Sequence, residues 1–203
     1  MKNPNISQMI SQFEEIYNSL NVKYFNGELP KAAITFNLTR KTRTKGHKKE
    51  SPSGRAIMFE IVLGPEILHQ PIDLTVSDIL HEMVCEYCEI KNIKATSNNG
   101  TYHNKAFKTV AAGHGLHIER GDKYGWSITK PSDDLRVFVD SQGWSTPKIS
   151  DSELFDYVSS IKSSTRRWIC PKCGTIIRST KEVRVICADC MEMFVKAKKV
   201  QHD

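Results

Sequence analysis

The sequence predicts an α+β domain followed by a small β ribbon stapled by metal, and three observations carry that expectation. Apolar residues recur at helical spacing in two long stretches, and shorter stretches between them alternate as strands do. Six cysteines occur in 203 residues, and Cys170, Cys173, Cys187 and Cys190 form two C-x2-C pairs. The charge is unevenly placed: Lys162 to Asp203 holds 10 basic and 4 acidic residues, while Met1 to Ile161 holds 19 of each, so the formal +6 belongs to the tail.

The first element runs from Ile6 to Val22, where Met9, Ile10, Phe13, Ile16, Tyr17 and Leu20 describe one buried helix face. It is expected to end near Asn26-Gly27. Ala33 to Leu38 and Arg55 to Leu63 read as strands. Between them, Thr39 to Lys49 reads as a polar basic loop, either a solvated hairpin tip or a phosphate contact. Thr75 and Asp78 have capping-box spacing, so a helix is expected from about Val76 to Ile90, with Ile79, Leu80, Met83, Val84, Tyr87 and Ile90 around much of its circumference. A turn-forming loop, Ala95 to Gly100, precedes a helical pattern from His103 to Ala112, broken by Gly113. Pro131 to Val139 reads as a short helix with proline in its first turn. These elements divide the chain into a domain at 1–145, a linker at 146–167 with a short helix from about Asp151, and a ribbon at 168–203.

Other classes are excluded by composition. No apolar run approaches the roughly 18 residues that a membrane-spanning helix needs, and acidic residues stand where a signal peptide would carry its apolar core. A cytoplasmic protein without membrane contact is expected, in which cysteines serve as thiols or metal ligands. About 160 residues can bury one core, whereas some 40 need a staple.

The tail supplies that staple. Two C-x2-C pairs separated by thirteen residues present four thiolates to one ion, the closed shell of structural zinc, with β-like runs at Thr175–Arg178 and Val183–Ile186 between them. Nine basic residues, among them Arg166, Arg167, Arg178 and Arg184, surround the knuckles. With Trp168 and Phe194 as stacking rings they would suit DNA; as a solvated shell they would only keep the ribbon soluble.

His81-Glu82-x-x-Cys85 differs by one residue from H-E-x-x-H, in which ligands at i and i+4 share a helix face and the Glu at i+1 acts as general base. Cys85 takes the second ligand position. Cys88, one turn further on, is expected to pack as a small hydrophobe; as a fourth ligand it would close the site. His114 and His117 read as loop histidines in reserve.

Three stretches, Tyr24-Phe25-Asn26-Gly27-Glu28-Leu29-Pro30, Ile79-Leu80-His81-Glu82-Met83-Val84 and Gly100-Thr101-Tyr102-His103-Asn104-Lys105-Ala106-Phe107-Lys108, occur in an order and spacing that resembles the SprT-like zinc metalloprotease family, related to the DNA-protein-crosslink protease Spartan. That resemblance implies a minimal zincin-type domain, helices packed on a small antiparallel sheet, followed by a zinc ribbon. It implies a catalytic zinc on His81, position 85 and His103, with Glu82 as base and zinc-bound water as nucleophile. Cys85 stands where the family has His. A thiolate donates more charge than imidazole and weakens zinc as a Lewis acid, so an attenuated peptidase is expected. The implied substrate is protein held on DNA, reached through the basic ribbon and loop, which would place the protein at the nucleoid. The alternative is a noncatalytic DNA-binding or adaptor protein whose His81 site is structural. No oligomeric state is assigned.

Overall fold

The structure, a computed structural model, describes residues 6–37, 44–50, 57–98, 100–150, 152–153 and 166–197. Contacts divide the chain into two compact units, Met1–Val158 and Ser159–Asp203. The first is α+β, with four α-helices and two small sheets among the described residues.

Helix α1 spans Ile6–Phe25, and Met9, Phe13, Ile16, Tyr17 and Leu20 are all buried. It stops where Asn26 and Gly27 both take left-handed backbone, the conformation that asparagine and glycine tolerate best. The turn is then locked from inside the helix. Buried Asn21 donates its side-chain amide to the Leu29 carbonyl at 2.9 Å and accepts from the Leu29 N–H at 3.1 Å, while Tyr17 donates to the Pro30 carbonyl at 2.7 Å.

Strands β1 (Ala32–Phe36), β2 (Lys45–Glu50) and β3 (Ile57–Leu63) form the first sheet in the order β1-β3-β2. Its pairing is mixed: β1 runs parallel to β3 and β2 antiparallel. Thus the second half of the expected basic loop is an edge strand. Its sequence, Lys-Gly-His-Lys-Lys-Glu, has no apolar alternation, because an edge held by one neighbour can remain polar and is protected by charge. Arg40 to Arg43 lie outside the described residues.

Helix α2 spans Ile72–Ile90, one turn earlier than the capping-box reading. Pro71 precedes it and leaves Thr75 inside the first turns, where Thr75 and Asp78 both accept from the Gln70 side-chain amide at 3.0 Å. Ile79, Leu80, Met83 and Val84 are fully buried, whereas Ile90 is exposed.

The second sheet is ordered β4-β5-β7-β6, from Thr96–Ser97, Tyr102–His103, Gly125–Pro131 and Leu116–Gly121. It too is mixed, with β5 parallel to β7 and the other pairs antiparallel. The single antiparallel sheet expected from sequence is therefore two mixed sheets. Helix α3 (Lys105–Gly113) begins after His103, capped by Asn104, whose side chain accepts from the Ala106 and Phe107 N–H groups. Helix α4 (Asp133–Gln142) is capped by Ser132; Pro131 ends β7 instead of entering the helix.

In the second unit, β8 (Arg166–Ile169) pairs antiparallel with β9 (Ile176–Ser179) on one side and β10 (Val195–Lys196) on the other. Val183–Ile186 is not a strand; Ile186 makes only an isolated bridge to Met193. The short helix expected from Asp151 is described only at Ser152–Glu153; the remainder lies outside the described residues. Among the described residues, no helix is long and apolar enough to cross a membrane.

Candidate metal centres

Among the described residues, two groups of side chains could hold a metal ion: Cys170, Cys173, Cys187 and Cys190 in the ribbon, and His81, Cys85 and His103 in the body. Within each group the donor atoms lie within 4.8 Å of one another.

The ribbon cluster is built by two equivalent turns. Gly174 donates its N–H to the Cys170 carbonyl at 3.0 Å, and Met191 does the same to Cys187 at 2.8 Å. Both donors have left-handed backbone, at φ +75° for Gly174 and +55° for Met191. Cys173 and Cys187 sulfurs lie 3.7 Å apart. Thr175 beside Cys173, its hydroxyl 3.1 Å from the sulfur, pulls that thiol down to about 6. Trp168 and Phe194 are buried with Cys170 and Cys187 in the ribbon's own core, so the expected stacking rings are structural.

The body cluster joins two distant pieces of chain. One turn of α2 separates His81 from Cys85, so both side chains leave the same face. β5 delivers His103 to them, with its Nε2 3.5 Å from the Cys85 sulfur. His103 thus meets the pair from a strand, not from the expected helix. Phe107 packs against both imidazoles, with ring centroids 4.7 Å from His81 and 4.3 Å from His103. His81 Nδ1 lies 2.7 Å from Thr129 Oγ1 of β7, leaving Nε2 as its free donor. His103 Nδ1 is buried without a hydrogen-bond partner.

Burial sets the protonation of this cluster. It drives His81 down to about 3, with the neighbouring His103 adding to the effect, and lowers His103 as well. Both rings are therefore neutral, the form that binds metal. Burial also pushes the Cys85 thiol up, reinforced by the Glu82 charge. A metal ion must displace that proton to use the sulfur.

Glu82, next to His81, lines the same cleft of about 300 Å³ between α2 and β2. Burial lifts its carboxyl to about 7, opposed by a hydrogen bond from the Gly46 backbone N–H. Only glycine fits at that point on β2. A Cβ on residue 46 would lie 2.4 Å from the Phe59 ring and 3.0 Å from Glu82 Oε2. A second carboxyl, Glu86, is buried one turn along the helix, accepts from Tyr17 at 3.2 Å and is pushed up to about 7, mainly by burial.

Cys88 is buried in the core and lies outside the donor group. His114 is also outside it, engaged with the Val110 carbonyl at 2.7 Å and stacked on Phe25; exposed His117 faces Glu119 at 3.6 Å. Sequence reasoning missed Gly46 and Thr129, whose strands carry little or no apolar alternation. Fold and site together define a two-unit α+β protein with one four-thiol cluster and one three-donor cluster in a cleft. The chain matches no family model, no curated protein and no solved structure.

Proposed function

We propose that the chain is a zinc-dependent peptidase of SprT-like type acting on proteins, especially those held on DNA. One observation carries the reading: three neutral-capable donors converge at one end of an open cleft, with the carboxyl of Glu82 adjacent on the same helix. Three protein ligands leave a coordination position free, the mark of a catalytic site and not of a structural one. One donor separation in each cluster is close to what zinc would require. Tetrahedral geometry with ordinary zinc–ligand lengths places sulfur and nitrogen about 3.6 Å apart and two sulfurs about 3.8 Å apart. The corresponding separations are 3.5 Å in the body and 3.7 Å in the ribbon.

Zinc held by His81, Cys85 and His103 would supply Lewis acidity to a peptide carbonyl and to an attacking water. The chain's own contribution is the proton path. Glu82 takes a proton from the water as its oxygen bonds to the carbonyl carbon, then gives it to the amine as the carbon–nitrogen bond breaks. A carboxyl lifted to about 7 by burial is well matched to both transfers, and the Gly46 N–H fixes its direction. With thiolate Cys85 in the ligand set, turnover is attenuated.

Support for a DNA-held substrate comes from the ribbon. Arg167 and Arg178 lie directly opposite each other on β8 and β9, and neither has an ion pair among the described residues. Like charges in that register oppose sheet pairing, and a phosphate between them relieves the repulsion.

The test compares wild type, Glu82→Gln and Cys85→His for bound zinc and for cleavage of a DNA-associated protein. Glu82→Gln keeps two zinc ions and loses about 10²- to 10⁴-fold in cleavage rate; Cys85→His cleaves faster than wild type. Undiminished cleavage by Glu82→Gln refutes the assigned base.

A further inference from the structure

Resting on the body cluster as a zinc site, we propose that Thr129 is a positioning residue that fixes the His81 ring and keeps the outer shell of that site uncharged. His81 Nδ1 and Thr129 Oγ1 are 2.7 Å apart, a short and fully formed hydrogen bond. When Nε2 faces the metal, Nδ1 carries the hydrogen and donates it to the Thr129 hydroxyl oxygen. The bond fixes one ring orientation and, with a metal on Nε2, is made by the Nδ1–H tautomer. Thr129 can do this because β7 packs beneath α2, with its backbone held on one side by β6 through the Ile118–Thr129 pair.

The chemistry of this partner matters as much as its position. Metal-bound histidines commonly donate their second nitrogen to a carboxylate, which passes negative charge to the ligand and raises its basicity. Among the described residues neither imidazole has a carboxylate behind it: His81 meets a hydroxyl, and His103 Nδ1 has no hydrogen-bond partner. The ligand set already contains one thiolate, so zinc with Cys85 carries a net charge of about +1 instead of +2. A charged outer partner would erode that remainder. Thr129 holds the ring without adding charge, which partly offsets the cost of sulfur at position 85.

His81 and His103 therefore differ in how they are held. Phe107 packs against both rings, but only His81 has its Nδ1 held by a directional bond among the described residues, to Thr129. Loss of the Thr129 hydroxyl should loosen His81 specifically.

The experiment measures zinc affinity of the body site by chelator competition and its cobalt spectrum, in the full chain with the ribbon site filled. Thr129→Val preserves shape and removes the acceptor; it should weaken zinc binding about 10-fold or more and shift the cobalt absorption, while Thr129→Ser stays within about 3-fold of wild type. Thr129→Asp creates a carboxylate–histidine pair and should bind zinc more tightly than wild type while cleaving more slowly. Matching affinities and spectra for Thr129→Val and wild type overturn the proposal, and so does a Thr129→Asp variant that binds zinc no tighter. Should Thr129→Val fail to fold, near-wild-type affinity in Thr129→Ser together with tighter binding in Thr129→Asp still decides the matter. A wild-type chain that binds zinc only in its ribbon overturns the metal-site reading itself, an outcome distinct from either variant result.

Discussion

The two donor clusters solve the same problem with opposite materials. In the ribbon, four thiols come from two local turns around a four-residue core of Trp168, Cys170, Cys187 and Phe194, half of which is ligand. In the body, three donors sit on elements whose packing is already secured by a large core that includes Phe13, Leu20, Ile61, Leu80 and Phe107. A metal ion held by the four thiols would thus be part of the ribbon's fold, whereas one held in the body would be only a guest. The contrast teaches that a closed thiolate shell can replace a hydrophobic core, whereas a cleft with a free coordination position must be held open by one.

The largest expected effect breaks the two regions apart. Stripping metal with a strong chelator should unfold the ribbon and leave the body's helices intact, because structural zinc supplies about 10 to 16 kcal/mol of folding free energy in small domains. Far-UV circular dichroism with limited proteolysis checks it: cleavage should appear between Lys172 and Lys196 and spare α1 and α2. Concerted loss of both units would mean that the body also depends on its metal.

Next in size is the proton count. Below the range where the Cys85 thiol ionises, zinc entering the body must expel one proton, since both imidazoles are already neutral. Affinity there should rise with pH, by about tenfold per unit where both imidazoles are neutral. The ribbon should release more than one proton, because neighbouring sulfurs, that of Cys173 foremost, and then burial hold Cys190 up near 12, and Cys187 is raised as well. Titration calorimetry in buffers of different ionisation enthalpy measures both. A body site releasing two protons would show that a second thiol, Cys88, has joined it.

The smallest effect concerns the two ribbon turns. Met191 occupies the left-handed position that Gly174 fills in the other turn. Met191→Gly should therefore stabilise the ribbon by up to about 1 kcal/mol and tighten its zinc by the corresponding factor of about 5, leaving the body's affinity unchanged. Equal affinities in wild type and variant would show that the Met191 backbone is not strained.

Both clusters were legible where their donors are close in sequence. C-x2-C puts two sulfurs on one turn, and an i, i+4 pair puts His81 and Cys85 on one helix face, whatever surrounds them. His103 was reachable only by resemblance, since its approach depends on β5 pairing with β4 and β7. Gly46 and Thr129 were not legible. β2 is wholly polar, and the β6–β7 hairpin is punctuated by glycines and charged residues, so their registers depend on distant pairing that no local period records. The helix around His103 and the proline at the start of α4 were misplaced for a related reason: Asn104 and Ser132 cap their helices, and the residues just before them belong to strands.

The neighbours Glu82 and His81 answer to different sheets. Gly46 on β2 grips the first, Thr129 on β7 the second. If the site works as proposed, a shift of β2 against α2 would disturb proton transfer and leave ion retention alone; a shift of β7 would do the reverse. Two adjacent residues would then act as independent gauges of how α2 is seated, so that the strength of metal capture and the speed of chemistry could be adjusted one at a time.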